Sequence, residues 1–552
     1  MHQYDKRRNL IGWLFLAPAL LLVIGLKWLP VLGTLVLSFF EWDILTPPKY
    51  VGLLNYGNLF SKDVLPLSHI ASATYGRLIC VVPVAALSIL LALLVKREER
   101  WRRYFFLPLL LPVLVPLAAD EVIWRWLFHT DFGFINGFLE LLHIHGPDWL
   151  GPGKSFKWAA AIFNIWYLTG MLTLVTYMIL RSGRAGLSTT RQLLGLLLAL
   201  FIIPLPFYPG YTGFMLGLFS HLARIIYYYA FQMFEMGTAA SVGTVSAICL
   251  LLLGYLFLRL TSGSVIAVSD ENRSGKPDWT AGRITLLIIL VLVSLTAIVP
   301  YLRALSTALT ESGSQFYKPM TLLPPSLSWE GFIGVWKQHA MFELALLNTF
   351  HHWLWLVLLE VPICYLAAYA LSIIRPAGTG IAGALLFIPI FLSNRFTMLP
   401  LFTVLKGALH TMPSLIAISL APVFIIWLFK LYFDGLPSDG ISSARVGGMS
   451  EGRILLTKVL PRSLPVIAVS ILLTIVFAMN DAYSYLLTTA SLEKPDLALG
   501  LAVFYSNHIC DNVLNMAGAI PLILPGTLLY IIFSGSLLSL SLRRRESSGD
   551  SV

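Results

Sequence analysis

Charged residues are scarce in this chain of 552 residues, and this scarcity restricts the class of protein. Asp, Glu, Lys and Arg together make up 12% of the sequence, whereas 57% of the residues are hydrophobic. Soluble domains carry roughly 25% charged residues, so this composition excludes a soluble globular protein. Apolar stretches of roughly 20 residues, enough helix to cross ~30 Å of hydrocarbon, recur about twelve times along the chain. The sequence therefore predicts an all-α polytopic membrane protein.

Motifs for metal and nucleotide binding are lacking as well. The four cysteines do not have the spacing of metal ligands. His143 and His145 are two apart and His351 and His352 are adjacent, so neither pair can face one metal ion from a helix. The sequence Gly275-Lys276-Pro277 has proline where a phosphate-binding loop continues. We therefore expect no metal, no bound cofactor and no catalytic site in this chain.

Acidic residues are outnumbered by basic ones, which gives a formal net charge of +10. The basic residues lie in short loops beside the apolar runs, where positive charge sets orientation in the membrane, so we expect no nucleic-acid partner. Basic clusters at 6–8, 96–103 and 181–191 alternate with weakly basic or acidic loops, and the run 543–545 follows the last apolar stretch. The pattern predicts that both termini are cytoplasmic.

A polar segment at 261–283 divides the apolar runs into two groups of about six spans each. Its core, residues 269–278, is poor in bulky side chains, as is typical of a flexible linker. The first half is therefore 1–260, and the second is 284–552. The spans are predicted at 10–38, 71–95, 104–128, 158–181, 193–219, 236–260, 284–303, 343–374, 382–402, 414–434, 465–487 and 517–542.

Residues 437–465 form a polar, basic segment between two long apolar runs. Glycine at positions 447 and 448 allows a bend between two short helical stretches, and Leu460-Pro461 is expected to end the second stretch. Such a segment can present an amphipathic helix to the groove of a partner protein.

Short motifs follow a characteristic order along nearly the whole chain. Examples are Trp124-Arg-Trp-Leu-Phe128 in the first half and Ala367-Ala-Tyr-Ala-Leu371 in the second. The others lie at 39–43, 50–56, 131–133, 230–240, 347–349, 437–465, 480–481, 495–502 and 516–519. Their order and spacing resemble the permease subunits of binding-protein-dependent ABC importers of the carbohydrate type, the group that includes the maltose and glycerol-3-phosphate systems. The resemblance implies two permease subunits of the type I importer fold, fused as homologous six-helix halves.

The resemblance also implies partners and a location. Separate ABC ATPase subunits would bind ATP and Mg, an extracytoplasmic solute-binding protein would deliver a sugar or related polar solute, and the chain would cross the inner membrane of a bacterium or archaeon. The ATPases would dock on the segment 437–465, where the residues matching the family's coupling loop are Ser442, Ser443, Ala444, Arg445, Gly447, Gly448, Ser450, Glu451, Arg453, Leu460 and Pro461.

Two departures from the family pattern bear on this coupling. The usual Glu-Ala-Ala is Ser442-Ser443-Ala444, and the acidic residue expected before the glycine is Gly447. In the first half, only residues 181–191 separate the predicted fourth and fifth spans. We therefore expect the first half to have lost its coupling helix.

Charged and amide side chains inside the predicted spans are candidates for the solute passage, because an ionisable group at the bilayer centre costs roughly 2.5–3.5 kcal/mol on insertion scales and is kept from lipid. Asp120, Glu121 and Arg125 share the end of the third span, where the last two can pair within the helix. The family comparison assigns to the passage Asn394, Arg395, Asn480 and Asp481. Hydrogen bonding between helices is the alternative role for these polar groups.

Two other functions fit the sequence. An ion-coupled secondary transporter would need a proton or sodium site, for which the candidates are Asp120, Glu121, Glu360 and Asp481. A degenerate membrane scaffold that transports nothing would agree with the missing coupling helix of the first half.

Overall fold

The computed structural model describes residues 2–43, 45–61, 64, 67–98, 101–151, 154–181, 187–202, 222, 225–262, 264–268, 281–311, 324, 326–338, 340–392, 422–480, 501 and 511–544. Nearly all regular structure in these ranges is helical. Eight of the described helices are long and apolar enough to cross a membrane, and a bent pair would make a ninth. The prediction of an all-α, multi-pass integral membrane protein is therefore confirmed.

The first half is built mainly from long helices. The helices are α1 (His2–Val23), α2 (Leu29–Leu37), α3 (Leu54–Ser61), α4 (Leu67–Arg97), α5 (Arg102–Leu114), α6 (Leu117–Leu127), α7 (Phe134–Leu141), α8 (Lys154–Arg181), α9 (Leu187–Ile202) and α10 (Met236–Leu260). A π-helical segment, Ile24–Trp28, joins α1 to α2, and a second one, Tyr228–Gln232, precedes α10. The short strands β1 (Phe40–Glu41) and β2 (Lys49–Tyr50) pair antiparallel between α2 and α3.

The second half follows the strand β3 (Ser264–Val268). Its helices are α11 (Ala281–Ala308), α12 (Glu330–Gln338), α13 (Ala340–Tyr369), α14 (Thr379–Phe387), α15 (Pro422–Asp434), α16 (Asp439–Val446), α17 (Glu451–Ile454), α18 (Leu460–Met479) and α19 (Asn512–Ser539). π-Helical segments at Ala370–Ile374 and Leu455–Val459 extend α13 and join α17 to α18, and a 3-10 turn, Ile388–Phe391, extends α14. The strand β4 (Leu540–Arg544) ends the described chain.

The described spans overlap the predicted ones wherever both can be compared. They are Lys6–Leu37, Leu78–Arg97, Lys157–Arg181, Met236–Leu260, Ile284–Ala308, Glu343–Ile374, Glu451–Met479 and Asn512–Ser539. The predicted fifth, ninth, tenth and eleventh spans lie partly outside the described residues. The total of twelve spans therefore stays a prediction.

The third predicted span is broken. The sequence predicted one helix over 104–128, but α5 and α6 meet at 94°, so this prediction is wrong. Val115 is extended, with φ −89° and ψ 138°, and Pro116 follows it. Proline lacks an amide hydrogen and disfavours helical backbone in the residue before it, which explains the break at this point.

The two halves share one core. α1 packs along α13, and α5 packs against α11 and α19. Glycine allows the closest approaches: a side chain at Gly526 on α19 would collide with the carbonyl oxygen of Leu114, and one at Gly170 on α8 would collide with that of Leu109. Helices in lipid associate through close packing and hydrogen bonds, so small residues are expected at such contacts.

An antiparallel sheet of β3 and β4 joins the end of the first half to the end of the second. Ile266 lies opposite Leu542 in this sheet. Gln192 donates to the hydroxyl of Ser264 at 2.9 Å, and Arg181 donates to the Leu538 carbonyl at 3.0 Å. The first residues of the predicted flexible linker thus form a strand, and its polar core, 269–278, lies outside the described residues.

Candidate functional site

The candidate coupling segment, residues 437–465, begins with the short helix α16. Its one buried side chain is Ile441, and Val446 at its end is 91% exposed. The amides of Gly447, Gly448 and Met449 donate back to carbonyls of α16, which closes the helix. Gly448 has φ +75°, a left-handed conformation that glycine adopts without strain, so the chain turns sharply there before α17.

The second helical stretch does not end at Leu460-Pro461, and the prediction that it would is wrong. Helix α17, the π-helical segment and α18 run on as one span from Glu451 to Met479. Within the π-helical segment the amide of Leu460 donates to the carbonyl of Leu455, five residues back. This wider turn precedes Pro461, where proline is tolerated because the first turn of the following α-helix needs no amide donor.

The predicted coupling residues divide into an exposed and an inward-facing group. The exposed residues are Ser442, Ser443, Gly447, Gly448, Ser450, Arg453 and Pro461. Ala444, Arg445 and Leu460 are half-buried, and Glu451 is 4% exposed. The first group is available to a partner, whereas the second holds the segment on the bundle.

Both flanks of the coupling segment are anchored on neighbouring helices. Before it, Asp434 pairs with Lys430 and lies 4.0 Å from the guanidinium of Arg375. Near its end, the hydroxyl of Ser463 lies 2.7 Å from that of Tyr365 on α13. The exposed turn around Gly448 is therefore carried by a fixed base.

A buried carboxylate forms the centre of that base. Arg445 donates to both oxygens of Glu451, from Nε to Oε1 at 2.7 Å and from Nη2 to Oε2 at 3.1 Å. Tyr369 on α13 donates its hydroxyl to Oε2 at 3.0 Å. Arg8, on α1 of the first half, brings a second cation, with its Nε 3.9 Å from Oε1. Paired, forked hydrogen bonds of this kind are the strong ones in proteins.

Sequence reasoning missed Arg8 and Tyr369 as members of this group. Arg8 lies at the start of the first span, and Tyr369 is one of many aromatic residues in an apolar run. No spacing in the sequence connects either residue to Glu451, because these contacts depend on how α1, α13 and the coupling segment pack together.

Asn480, at the end of α18, is the one predicted passage residue that the structure describes; Asn394, Arg395 and Asp481 lie outside the described residues. Its Oδ1 accepts the amide hydrogen of Leu117 at 2.9 Å, and its Nδ2 donates to the Val476 carbonyl at 2.9 Å. Leu117 is the first residue of α6, where amide groups have no partner inside their own helix. Asn480 therefore caps the bent helix of the opposite half.

Helix α6, which follows the bend after α5, makes two further polar contacts with the second half. Tyr301 on α11 donates its hydroxyl to Oδ1 of the buried Asp120 at 2.8 Å. The guanidinium of Arg303 lies over the ring of Trp126, 4.8 Å from its centroid. Such cation–π contacts are worth about 2 kcal/mol when water is excluded. Together with Asn480, they hold α6 between α11 and α18.

The other in-span charges named from the sequence also have partners. Glu121 forms an ion pair with Arg125 one turn away on α6, at 2.6 Å. Glu360, buried on α13, interacts electrostatically with the buried Lys27 of the first span. Lys27 also donates to the Leu392 carbonyl at 3.0 Å. The Lys27 and Glu360 side chains therefore connect two helices, whereas the Glu121–Arg125 pair lies within α6.

Comparison with known families and proteins points to one class of membrane protein. Residues 360–545 match the family described as binding-protein-dependent transport system inner membrane component. Among curated proteins, the chain is 26% identical over 170 residues to the trehalose/maltose transport system permease protein MalF of Thermococcus litoralis, covering 31% of this chain and 57% of that protein.

A second relative is matched over more of its length. The sn-glycerol-3-phosphate transport system permease protein UgpE of Pectobacterium atrosepticum is 27% identical over 241 residues, which is 42% of this chain and 82% of that protein. A solved chain of a bacterial ABC transporter involved in alginate import matches with 20% identity and a TM-score of 0.41, covering 47% of this chain and 99% of that chain. The chain spans about three fifths of the length of the first curated relatives that it matches.

Proposed function

We propose that this chain is the transmembrane permease of an ATP-driven ABC importer, in which two fused permease halves pass a sugar or a related small polar solute between them. One observation carries the proposal. The family match at 360–545 contains the whole coupling segment, and within it α16 and the turn at Gly448 stand exposed on an anchored base. An exposed helix carried between two spans is suited to insertion into the groove of a partner.

The fusion of two subunits is supported by the relative lengths. A relative from Pectobacterium atrosepticum is matched over 82% of its own length within 42% of this chain. One half of the chain is thus long enough to correspond to one such permease. The polar linker between the halves, near residues 269–278, is where two originally separate chains would have been joined.

In this proposal the chain performs no ATP chemistry itself. Separate ATPase subunits bind ATP and Mg and dock on the exposed residues around Gly448, and an extracytoplasmic solute-binding protein delivers the solute. Closure of the ATPases moves the coupling segment, and the spans rock so that the passage opens alternately to the two sides. In this proposal the coupling segment and both termini lie in the cytoplasm of a bacterium or archaeon.

The charges in the described spans favour this mechanism over ion-coupled transport. Asp120 accepts a hydrogen bond from Tyr301, and Glu121 pairs with Arg125. Each of these acidic residues is thus engaged in a contact between helices or within one helix. A coupling site for a proton or sodium ion would have to disrupt one of these contacts in every cycle.

The test is reconstitution of the full chain in proteoliposomes with the ATPase and solute-binding proteins that copurify with it. We expect ATP hydrolysis to rise when the binding protein carries its solute, with maltose, trehalose and sn-glycerol-3-phosphate as the first solutes to try. Uptake driven by an ion gradient in vesicles without ATPase would instead support secondary transport. An ATPase that copurifies but whose hydrolysis never responds to any solute would support a scaffold.

A further inference from the structure

We infer that Arg8, in the N-terminal helix of the first half, is a positioning residue for the coupling segment of the second half, acting through Glu451. The inference gains its mechanistic meaning from the proposed function, because it supplies a route by which one coupling segment could move both halves. Its structural part, that Arg8 holds the segment in place, stands on the contacts alone.

Glu451 lies next to the exposed turn around Gly448 and is positioned to move with it. It is the first residue of α17, three positions after Gly448, and is 4% exposed. Arg445, which grips both of its carboxylate oxygens, is in the last turn of α16 on the other side of the bend. The carboxylate therefore ties together the two arms of the turn, and a displacement of the turn must carry Glu451 with it.

Arg8 connects this carboxylate to the first half. Its Nε lies 3.9 Å from Glu451 Oε1, and its Nη2 donates to the Ile374 carbonyl at 2.7 Å. Arg445 reaches the neighbouring carbonyl, that of Ile373, at 3.2 Å. Two arginines, one from each half, thus place their positive charges beside the same carboxylate and donate to the same end of the α13 span.

The helix that carries Arg8 is itself fixed against that end. Asn9 accepts the amide hydrogen of Ala377 at 2.6 Å. A side chain at Gly12 would come within 2.9 Å of Pro376, and a Cβ at Gly378 would lie 3.3 Å from the ring of Trp13. Two turns of α1 therefore pack on residues 374–378, which fixes the position of the Arg8 backbone relative to this end of the α13 span.

Chain connectivity defines the route by which a movement of the coupling segment would reach the first half. α1 continues through a π-helical segment into α2, and this span belongs to the first half. The predicted coupling loop of the first half is reduced to residues 181–191, of which 182–186 lie outside the described residues. Arg8 gives the first half a direct contact with the coupling segment of the second half.

The first experiment measures positioning without any partner protein. A spin label at Val446→Cys, in a background with the four native cysteines replaced by serine, reports the mobility of the turn in the full chain in detergent. We expect Arg8→Ala to increase the mobility of the label and Arg8→Lys to increase it less. Arg7→Ala should leave the mobility unchanged. Arg7 is the matched control because it is exposed on the same helix. An unchanged spectrum for Arg8→Ala overturns the inference.

The second experiment measures transmission in the reconstituted importer. We expect Arg8→Ala to lower solute uptake per ATP hydrolysed by about 5-fold or more, the low end of coupling between distant sites, while the ATPase still copurifies. Arg7→Ala should keep the normal ratio. The transmission part of the inference is overturned if Arg8→Ala leaves the ratio of solute uptake to ATP hydrolysis unchanged. This comparison uses preparations in which the unsubstituted chain couples uptake to hydrolysis. If the unsubstituted chain shows no stimulated hydrolysis, the proposed function fails, and the spin-label result still decides the positioning role.

Discussion

Tyr301 of the second half donates its hydroxyl to the buried carboxylate of Asp120, on the bent helix of the first half, at 2.8 Å. The other oxygen of that carboxylate, Oδ2, has no hydrogen-bond partner among the described residues. A buried carboxylate with a single donor depends strongly on that donor. This bond therefore connects the two halves at a point where its loss cannot be compensated locally.

Replacing Tyr301 with phenylalanine tests this dependence. We expect Tyr301→Phe to lower the free energy of unfolding by about 1–3 kcal/mol, because Asp120 then loses its donor inside the bundle. The measurement is thermal unfolding of the full chain in detergent. Tyr104→Phe is the control, since that tyrosine is exposed. Equal unfolding temperatures for the two variants would contradict the expectation.

Asn480→Leu removes the acceptor for the Leu117 amide at the start of α6. Loss of a helix cap costs roughly 0.5–2 kcal/mol, so the first turn of α6 should open more often. Faster hydrogen exchange in the peptide that contains Leu117 would be the sign of this opening. Asn480→Asp keeps an oxygen at the same place. In this variant the peptide that contains Leu117 should exchange almost as slowly as in the unsubstituted chain. If both variants exchange alike, the cap has no energetic role.

In the proposed importer, Gly448→Val should uncouple the ATPase while the bundle stays folded. A residue with a side chain pays roughly 1–2 kcal/mol in the left-handed conformation that Gly448 adopts, and a β-branched one is strained further. We expect solute-stimulated ATP hydrolysis to be lost in this variant and after deletion of residues 450–456.

Gly452→Ala is the matched control for that prediction, because Gly452 is helical and no atom lies near the place of its Cβ. Changes at 183–188 in the first half should have much smaller effects. We thus expect the ATPase to depend mainly on the coupling segment of the second half. Crosslinking of the ATPase in equal amounts to this segment and to residues 181–191 would contradict that expectation.

Gly526→Ala should weaken the contact between α5 and α19. The new methyl group would meet the carbonyl oxygen of Leu114, and a backbone atom cannot swing aside as a side chain can. Such overpacking costs about 1–3 kcal/mol, which should appear as a lower unfolding temperature in detergent. Gly383→Ala on α14 should have no such effect, because its Cβ would meet no atom within 4 Å. Comparable stability of the two variants would argue against close packing at Gly526.

Labelling of single cysteines tests the predicted topology. We expect reagents that cannot cross the membrane to reach residues 61 and 493 from outside, and residues 274 and 547 only after the membrane is opened. This follows from basic short loops on the cytoplasmic side and from an even number of spans in each half. Residue 274 labelled from outside would exclude the arrangement of two sets of six spans.

The sequence was most informative where a property is local. Apolar runs were enough to locate spans, because a helix in lipid must satisfy its own backbone and present apolar side chains. The positive φ at Gly448 agrees with the bend inferred from two adjacent glycines. Proline was harder to interpret: Pro116 breaks a span that had been predicted as continuous, whereas Pro461 is accommodated in one that had been predicted to end.

Contacts between distant residues could not be obtained in this way. Asn480 was assigned to the passage by family comparison, and the structure places its side chain on the start of α6. Arg8 meets Glu451 only because α1 lies along α13, and many arginines would have been equally plausible partners from charge alone. Which polar groups meet in a bundle depends on helix packing, and packing is a property of surfaces on several helices at once.

The pairing of β3 with β4 gives the two halves a second connection. The strand that leaves the first half lies against the strand that follows the last span of the second, so the end of each half is held by the other through backbone hydrogen bonds. The path from Ser264 through the second half to Arg544 therefore closes on itself as a ring. Backbone pairing thus holds the ends of the two halves in register, in addition to the covalent connection between them.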